Sequence, residues 1–134
     1  MNVYGTEQIR NVVLLGHGGA GKTTVAEAMA LITGVTKRMG KVADGNTISD
    51  YDKEEIKRQF STLIPLEYQG ENGPVKVNLL DTPGFFDFVG EVEEAISVAD
   101  AAIIVVNCKA GIEPGTERAW EMCEKYNLPR LIFV

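Results

Sequence analysis

Cysteine, long apolar runs and positive charge are all scarce in this sequence, and each scarcity excludes a class of protein. Its two cysteines, Cys108 and Cys123, have neither metal-like nor C-x-x-C spacing, which predicts reduced core residues of a cytoplasmic protein. No run approaches the ~20 apolar residues of a membrane helix, and the short first run at 12–15 does not resemble a signal peptide. The net charge of −6 argues against this chain being the main nucleic-acid-binding surface of a protein, but it does not exclude a local contact with RNA. At 134 residues we expect one domain at most, with a buried core.

One octapeptide matches the phosphate-loop pattern G-x-x-x-x-G-K-[ST] at every fixed position: Gly16-His17-Gly18-Gly19-Ala20-Gly21-Lys22-Thr23. Glycines in this pattern let the backbone wrap a phosphate, so that successive N–H groups and the N-terminus of the next helix point at the anion. Lys22 is expected to reach the β- and γ-phosphates, and the Thr23 hydroxyl to hold Mg²⁺. A simple glycine turn is the alternative, but it explains neither the Lys-Thr pair nor its placement after an apolar run. The segment therefore predicts binding of a nucleoside triphosphate.

The apolar pattern predicts alternating strands and helices. Short apolar runs indicate strands at 12–15, 63–68, 75–80, 101–106 and 131–134, of which the second and third form a hairpin. Three helices are indicated by apolar residues at helical spacing: Val25, Ala28, Met29 and Ile32; Val92, Ala95, Ile96 and Ala99; and Ala119, Trp120, Cys123 and Tyr126. Thr116 is expected to cap the third helix, and Trp120 to pack in the core. The order β-α-β-β-α-β-α-β predicts an α/β fold, a mostly parallel sheet with one antiparallel hairpin and helices on both faces.

A second motif follows the strand at 75–80 and reads Asp81-Thr82-Pro83-Gly84. By itself D-T-P-G is also a common turn. Ligands of open α/β sheets bind outside the carboxyl ends of the strands, however, and this motif stands at such an end. Here Asp81 can hold Mg²⁺, usually through water, and the N–H of Gly84 can sense a γ-phosphate. The position favours a functional role.

Several motifs in register resemble the G domain of translational GTPases, and specifically of elongation factor G. The second place of the phosphate loop holds His17, as in that family, and V-x-D-G and D-T-P-G-x-x-D-F elements occur at 42–45 and 81–88. The match continues through 89–92, 100–114, 117–120 and 127–130, and so covers essentially the whole chain. The resemblance implies a P-loop NTPase G domain that binds GTP or GDP with Mg²⁺, hydrolyses GTP and acts on the ribosome.

The resemblance also implies which residues form the site. Nucleotide contacts are expected from two segments: Gly16, His17, Gly18, Gly19, Ala20, Gly21, Lys22, Thr23 and Thr24; and Asp81, Thr82, Pro83, Gly84 and Phe85. Mg²⁺ ligands are expected among Thr23, Ser61, Thr62 and Asp81, with Ser61 and Thr62 as alternatives. Lys22 is expected to offset phosphate charge during hydrolysis, while Asp81 and Gly84 respond to the γ-phosphate. His17 more naturally makes backbone contacts than serves as a general base.

Three departures from the elongation factor G pattern bear on function. Phe85 replaces a histidine thought to position the attacking water, and a phenyl ring can neither hydrogen-bond water nor carry a proton. In the segment that corresponds to switch I of the family, Gln59-Phe60-Ser61 stands where the family pattern has Gly-Ile-Thr. The chain stops at Val134, where the family next shows the guanine-reading Asn-Lys-x-Asp. We therefore interpret 1–134 as part of the G domain of a divergent, longer paralogue.

Two expectations follow from these departures. The first is an alternative function, a GTP-gated ribosome-binding module that hydrolyses little because Phe85 stands in the histidine's place. An ATP-binding protein of the phosphate-loop class is a further alternative, which the second motif disfavours. The other expectation concerns association. The strand at 131–134 lacks a partner beyond it, and an unpaired apolar edge promotes self-association by strand pairing.

Overall fold

The computed structural model describes residues 3–48, 62–84 and 89–134. Its strands are β1 (Ile9–Leu15), β2 (Thr62–Gly70), β3 (Gly73–Asp81), β4 (Ala101–Val105) and β5 (Arg130–Phe133). Its helices are α1 (Lys22–Ile32), α2 (Val89–Ser97) and α3 (Pro114–Lys125). The predicted order of strands and helices is confirmed. The expectations placed on Ser61 and Phe85 lie outside the described residues.

A single five-stranded sheet organises the chain in the order β2-β3-β1-β4-β5. Strand β1 runs parallel to β3 and β4, β5 runs parallel to β4, and β2 is antiparallel to its neighbour β3. Leu14 pairs with Asp81 and Leu15 with Ile104, so the carboxyl ends of three strands meet at one edge. Because ligands of open α/β sheets bind outside this edge, the topology puts the two predicted motifs side by side.

The core lies on both faces of the sheet, as predicted. Side chains of β1 alternate between the two faces: Val13 and Leu15 join the cluster under α2 and α3, and Leu14 joins the cluster under α1. In α1 the buried apolar residues are Ala26 and Ala30, whose small side chains bring the helix close to the sheet. A strand covered on both faces needs apolar residues at successive positions, which explains the uninterrupted apolar run in β1.

Several side chains differ from the sequence-based prediction, among them Cys108, which is exposed although it was predicted to lie in the core. Ile32 is 81 % exposed, because it lies two residues and therefore about 200° around the helix from the buried Ala30. Thr116 is not the N-cap of α3: Glu113 holds that position, and the Thr116 hydroxyl accepts a hydrogen bond from the Glu113 N–H at 3.4 Å. Trp120 is 41 % exposed, because it lies about 100° around the helix from the buried Ala119 and so at the edge of the buried face.

Among the described residues, no helix has the length and apolar character needed to cross a membrane.

Candidate phosphate-binding site

The loop between β1 and α1 has the backbone shape that its glycines predict. Gly16 has φ +139°, and a Cβ there would stand 2.4 Å from the Val105 carbonyl oxygen, so only glycine lets the loop pass the end of β4. Gly21 is the N-cap of α1 in the left-handed region, with φ 105°. A residue with a side chain is strained in such a conformation. The glycines therefore shape a loop that ends directly at a helix N-terminus, where backbone N–H groups attract anions.

Lys22 is folded back over this loop. Its side chain is 6 % exposed, and its Nζ donates hydrogen bonds to the carbonyl oxygens of Gly16 at 3.1 Å and His17 at 2.9 Å. Burial lowers the pKa of Lys22, and the negative charge of Asp81 partly offsets that effect. An ammonium group has three donors, and the two carbonyls use two of them. The third donor is available to a phosphate oxygen held by the same loop.

Asp81, at the end of β3, meets the first turn of α1. The Thr23 hydroxyl donates a hydrogen bond to Asp81 Oδ2 at 2.8 Å, joining residues 58 positions apart. Asp81 is 6 % exposed, and its other oxygen, Oδ1, is buried with no hydrogen-bond partner in the described part of the chain. Burial raises the pKa of Asp81, while the Thr23 hydrogen bond and the charge of Lys22 lower it. A hydroxyl and a buried carboxylate with an oxygen to spare fit a hard divalent cation such as Mg²⁺.

Thr82 and Gly84 hold the D-T-P-G motif against β1 and the phosphate loop. Thr82 is buried, and its hydroxyl donates a 2.6 Å hydrogen bond to the Leu14 carbonyl, which ties the motif to β1. A Cβ on Gly84 would stand 2.4 Å from Lys22 Nζ and 2.7 Å from Gly18 Cα. Gly84 therefore lies directly against the phosphate loop, and any larger residue would push the two motifs apart. The two motifs are therefore in contact, as the sequence predicted.

His17 fastens the phosphate loop to α3. Its Nδ1 accepts a hydrogen bond from the Gly115 N–H at 3.3 Å, and its Nε2 lies 3.6 Å from Glu113 Oε1. A Cβ on Gly115 would stand 2.7 Å from His17 Cα, so this contact also depends on a glycine. An imidazole held on both nitrogens acts as a structural tie. Sequence reasoning missed Glu113 and Gly115, although the Glu-Pro-Gly-Thr run that opens α3 was readable as a helix start.

Of the other expected site residues, Thr62 and Thr24 lie within the described part of the chain, and Ser61 and Phe85 do not. Thr62 pairs with Asp81 across the antiparallel β2–β3 ladder, so the two side chains lie on the same face of the sheet. Thr24 lies in the first turn of α1 and is exposed. Ser61, the alternative to Thr62, falls outside the described residues, as does Phe85. Sequence reasoning also missed Glu27, a buried carboxylate on α1.

The described acidic residues of α2 do not form a metal centre. Within the described ranges, no group of three or more His, Cys, Asp or Glu side chains could hold a metal ion. Glu93 forms an ion pair with Lys125 of α3 at 3.0 Å. Any Mg²⁺ at Thr23 and Asp81 would thus depend on few protein ligands, which is how this ion usually binds beside substrate phosphates.

Comparison with known proteins agrees with this geometry. Residues 7–134 match the family model described as "Elongation factor Tu GTP binding domain". The chain is 39 % identical over 126 residues to "Elongation factor G-like protein" of Mycobacterium tuberculosis, covering 94 % of this chain and 18 % of that protein. It is also 39 % identical over 132 residues to "Ribosome-releasing factor 2, mitochondrial" of Drosophila willistoni, covering 96 % and 17 %.

A solved structure gives the same picture. A crystal structure of a Thermus thermophilus protein superposes with a TM-score of 0.83 at 43 % identity, covering 93 % of this chain and 19 % of that one. The chain thus spans less than a fifth of the length of these relatives. The resemblance to elongation factor G proposed from the motifs is confirmed over nearly the whole chain by the curated relatives. By its sequence, its fold and the meeting of its two phosphate motifs, the chain belongs to the family of elongation factor Tu GTP binding domains.

Proposed function

We propose that this chain is the GTP·Mg²⁺-binding part of a cytoplasmic translation factor that hydrolyses GTP to GDP on the ribosome. One observation carries the proposal: Lys22, Thr23 and Asp81 converge at the sheet edge where Gly84 touches the phosphate loop. A cation, a hydroxyl, a carboxylate and a backbone approach are the parts that bind a triphosphate and respond to its γ-phosphate. The names of the relatives, elongation factor G-like protein and ribosome-releasing factor, support a role at the ribosome.

Each residue has a defined task in this proposal. Lys22 places positive charge beside the β- and γ-phosphates, and the N–H groups of the loop and of the first turn of α1 hold their oxygens. Thr23 and Asp81 would hold Mg²⁺, with Thr62 or Ser61 as a further hydroxyl. The bound ion supplies charge neutralisation at the phosphate oxygens. Gly84 lies against the phosphate loop, which supports a contact from its N–H to the γ-phosphate, and loss of that phosphate would then remove an attachment of the D-T-P-G segment.

A nucleotide competition experiment tests this proposal. The full-length protein should bind a fluorescent GTP analogue in the presence of Mg²⁺, and unlabelled GTP should displace that analogue while ATP does not. Ribosomes should accelerate single-turnover GTP hydrolysis. Displacement by ATP as effective as by GTP would favour the ATP-binding alternative, and a protein that binds neither nucleotide would contradict the proposal.

The residue Phe85 favours a second candidate function, a GTP-gated ribosome-binding module with little hydrolysis. A phenyl ring cannot position water by a hydrogen bond, so the slow step would be chemistry. In that case Phe85→His should raise the ribosome-stimulated rate by about 10²–10⁴-fold, the usual contribution of such a group. GTP affinity should stay nearly unchanged. A rate that does not rise in single-turnover assays would show that another group already positions the water.

A further inference from the structure

Glu27 is a buried carboxylate outside the expected phosphate contacts, although its negative charge adds to the raised pKa of Asp81. It lies in α1 four residues after Thr23, hence on the same face of the helix, and is 2 % exposed. A buried negative charge is unfavourable unless it accepts hydrogen bonds. Its two oxygens each have a backbone partner: Oε2 accepts from the Gly40 N–H at 2.6 Å, and Oε1 accepts from the Ile48 N–H. One carboxylate therefore holds two points of the chain that are eight residues apart.

Those two points close a compact loop, residues 40–48. Gly40 is buried, and a Cβ there would stand 2.6 Å from the Asn46 carbonyl oxygen, so the two ends of the loop press together. Inside the loop, the Lys41 N–H donates to Asn46 Oδ1 at 2.8 Å. The Val42–Asp44 turn follows, and Gly45 ends it in the left-handed region. The loop is thus closed by its own contacts as well as by Glu27.

Apolar burial contributes little to holding this loop in place. Residues 41–46 are exposed, Val42 at 62 %, while Ile48 is partly buried and packs against the cluster under α1. A loop with mostly exposed side chains depends on polar contacts for its position. Glu27 supplies such contacts from α1, the helix that also carries Lys22 and Thr23.

We propose that Glu27 is a positioning residue that fastens loop 40–48, in the connection between α1 and β2, to the phosphate-loop helix. This inference rests on the proposed function and extends it to a residue outside the phosphate contacts. Along the chain, loop 40–48 precedes Thr62, the candidate Mg²⁺ ligand that pairs with Asp81. Loss of the tie is therefore expected to impair GTP hydrolysis more than GTP binding, because the phosphate loop itself stays intact.

Two substitutions break the tie in different ways. Glu27→Gln keeps the side-chain length but turns one acceptor into a donor that faces a backbone N–H. Glu27→Asp keeps the charge but shortens the reach by one methylene. Glu94→Gln is the matched control, because Glu94 is an exposed residue of α2 whose replacement removes the same charge far from the loop.

Hydrogen exchange and kinetics on the full-length protein test the proposal. Both Glu27 variants should exchange the Gly40 and Ile48 amides at least tenfold faster than the unmodified protein, with the exchange of β1 and β4 unchanged. At saturating Mg²⁺ their GTP affinity should stay within about twofold, while the ribosome-stimulated kcat falls about tenfold. Glu94→Gln should change neither. A Glu27 pair that matches Glu94→Gln, or that loses affinity and kcat equally, would overturn the proposal.

Measurement on the unmodified protein keeps the test valid should both variants fail to fold. Without nucleotide, the Gly40 and Ile48 amides should exchange at least tenfold more slowly than that of the exposed Ala43. Equal rates would refute the tie. Because this exchange pattern needs no nucleotide, it stands even if GTP binding fails, so failure of the proposed function and failure of the Glu27 inference are distinguishable.

Discussion

Two regions of the sheet differ in how far their polar and apolar groups are paired or covered. One is the phosphate end, where β1 and β3 finish beside the phosphate loop, and the other is the outer edge, which β5 forms. At the phosphate end, Lys22 and Asp81 are each 6 % exposed and bonded to loop carbonyls and to Thr23. At the outer edge, β5 pairs with β4 and with no other strand of the described residues, and residues 131–134 are 50–72 % exposed. Charged groups are buried at one end, while apolar side chains are exposed at the other.

This difference shows where binding and where association are to be expected. Buried charges are unfavourable unless they are paired, so their retention at the phosphate end is typical of a ligand site. An exposed apolar strand with an unpaired edge has the opposite character, since it gains from covering by another strand. Self-association through this edge stays a prediction. The contrast can be tested at either end by single substitutions.

The largest change is expected from removing the buried cation at the phosphate end. Lys22→Ala takes away a charge-assisted contact to phosphate, worth about 1.5–3 kcal/mol, or roughly 10–150-fold in GTP affinity. Equilibrium titration with a fluorescent GTP analogue on the full-length protein measures it. Lys37→Ala, at an exposed lysine, is the control and should have no effect. An affinity for Lys22→Ala within about twofold of the unmodified protein would remove this residue from the site.

Acid should weaken Mg²⁺ binding at the same end. Burial raises the pKa of Asp81, and a protonated carboxyl does not bind a cation, so protons compete with Mg²⁺ from a higher pH than at an ordinary aspartate. Below that pKa the apparent Mg²⁺ affinity should fall up to about tenfold per pH unit. Nucleotide retention against Mg²⁺ concentration, from pH 7 downward, measures this. Asp81→Asn isolates the residue, because its remaining pH dependence belongs to the nucleotide; identical profiles for both proteins would contradict the assignment.

A positive charge on β5 should weaken self-association through the outer edge. The 134-residue chain by itself is expected to self-associate, and Ile132→Lys should weaken that association about tenfold, because an edge lysine opposes strand pairing. Sedimentation velocity over a range of concentrations measures the shift. Val3→Lys places the same charge at an exposed position far along the chain as a control. A clean monomer for the unmodified chain at every concentration would rule out the edge as an association site.

The smallest effect is expected where α3 meets the start of β5. The Arg130 guanidinium stacks on the Trp120 ring at 3.8 Å, and the Trp120 Nε1–H donates to Glu124 Oε1 at 3.1 Å. Trp120→Leu should lower the free energy of unfolding by about 1 kcal/mol, the scale of a partly exposed cation–π pair. Urea denaturation measures it. Tyr126→Leu, where Lys125 lies 5.0 Å from the ring, should cost less, and an equal cost would show that the closer stack adds nothing.

Much of the site followed from local sequence patterns. The phosphate loop and the D-T-P-G motif predicted that Lys22, Thr23, Asp81 and Gly84 lie together, because parallel strands deliver their carboxyl ends to one edge. The hairpin at β2–β3 was predicted by its turn residues. The prediction that Trp120 packs in the core was wrong. Periodicity marks an apolar face of the helix, but it does not show which apolar residues of that face meet the sheet and which lie at its edge, where Arg130 covers the Trp120 ring.

By itself the sequence determined the order of strands and helices and predicted a phosphate-binding loop, because glycines that need positive φ and the Lys-Thr pair act within a few residues of one another. Only the tertiary structure decided the distant contacts. His17 meets Gly115 across 98 positions, and Glu27 collects the amides of Gly40 and Ile48. No local pattern encodes such partners, since a buried side chain finds its hydrogen bonds only after the helices have packed on the sheet.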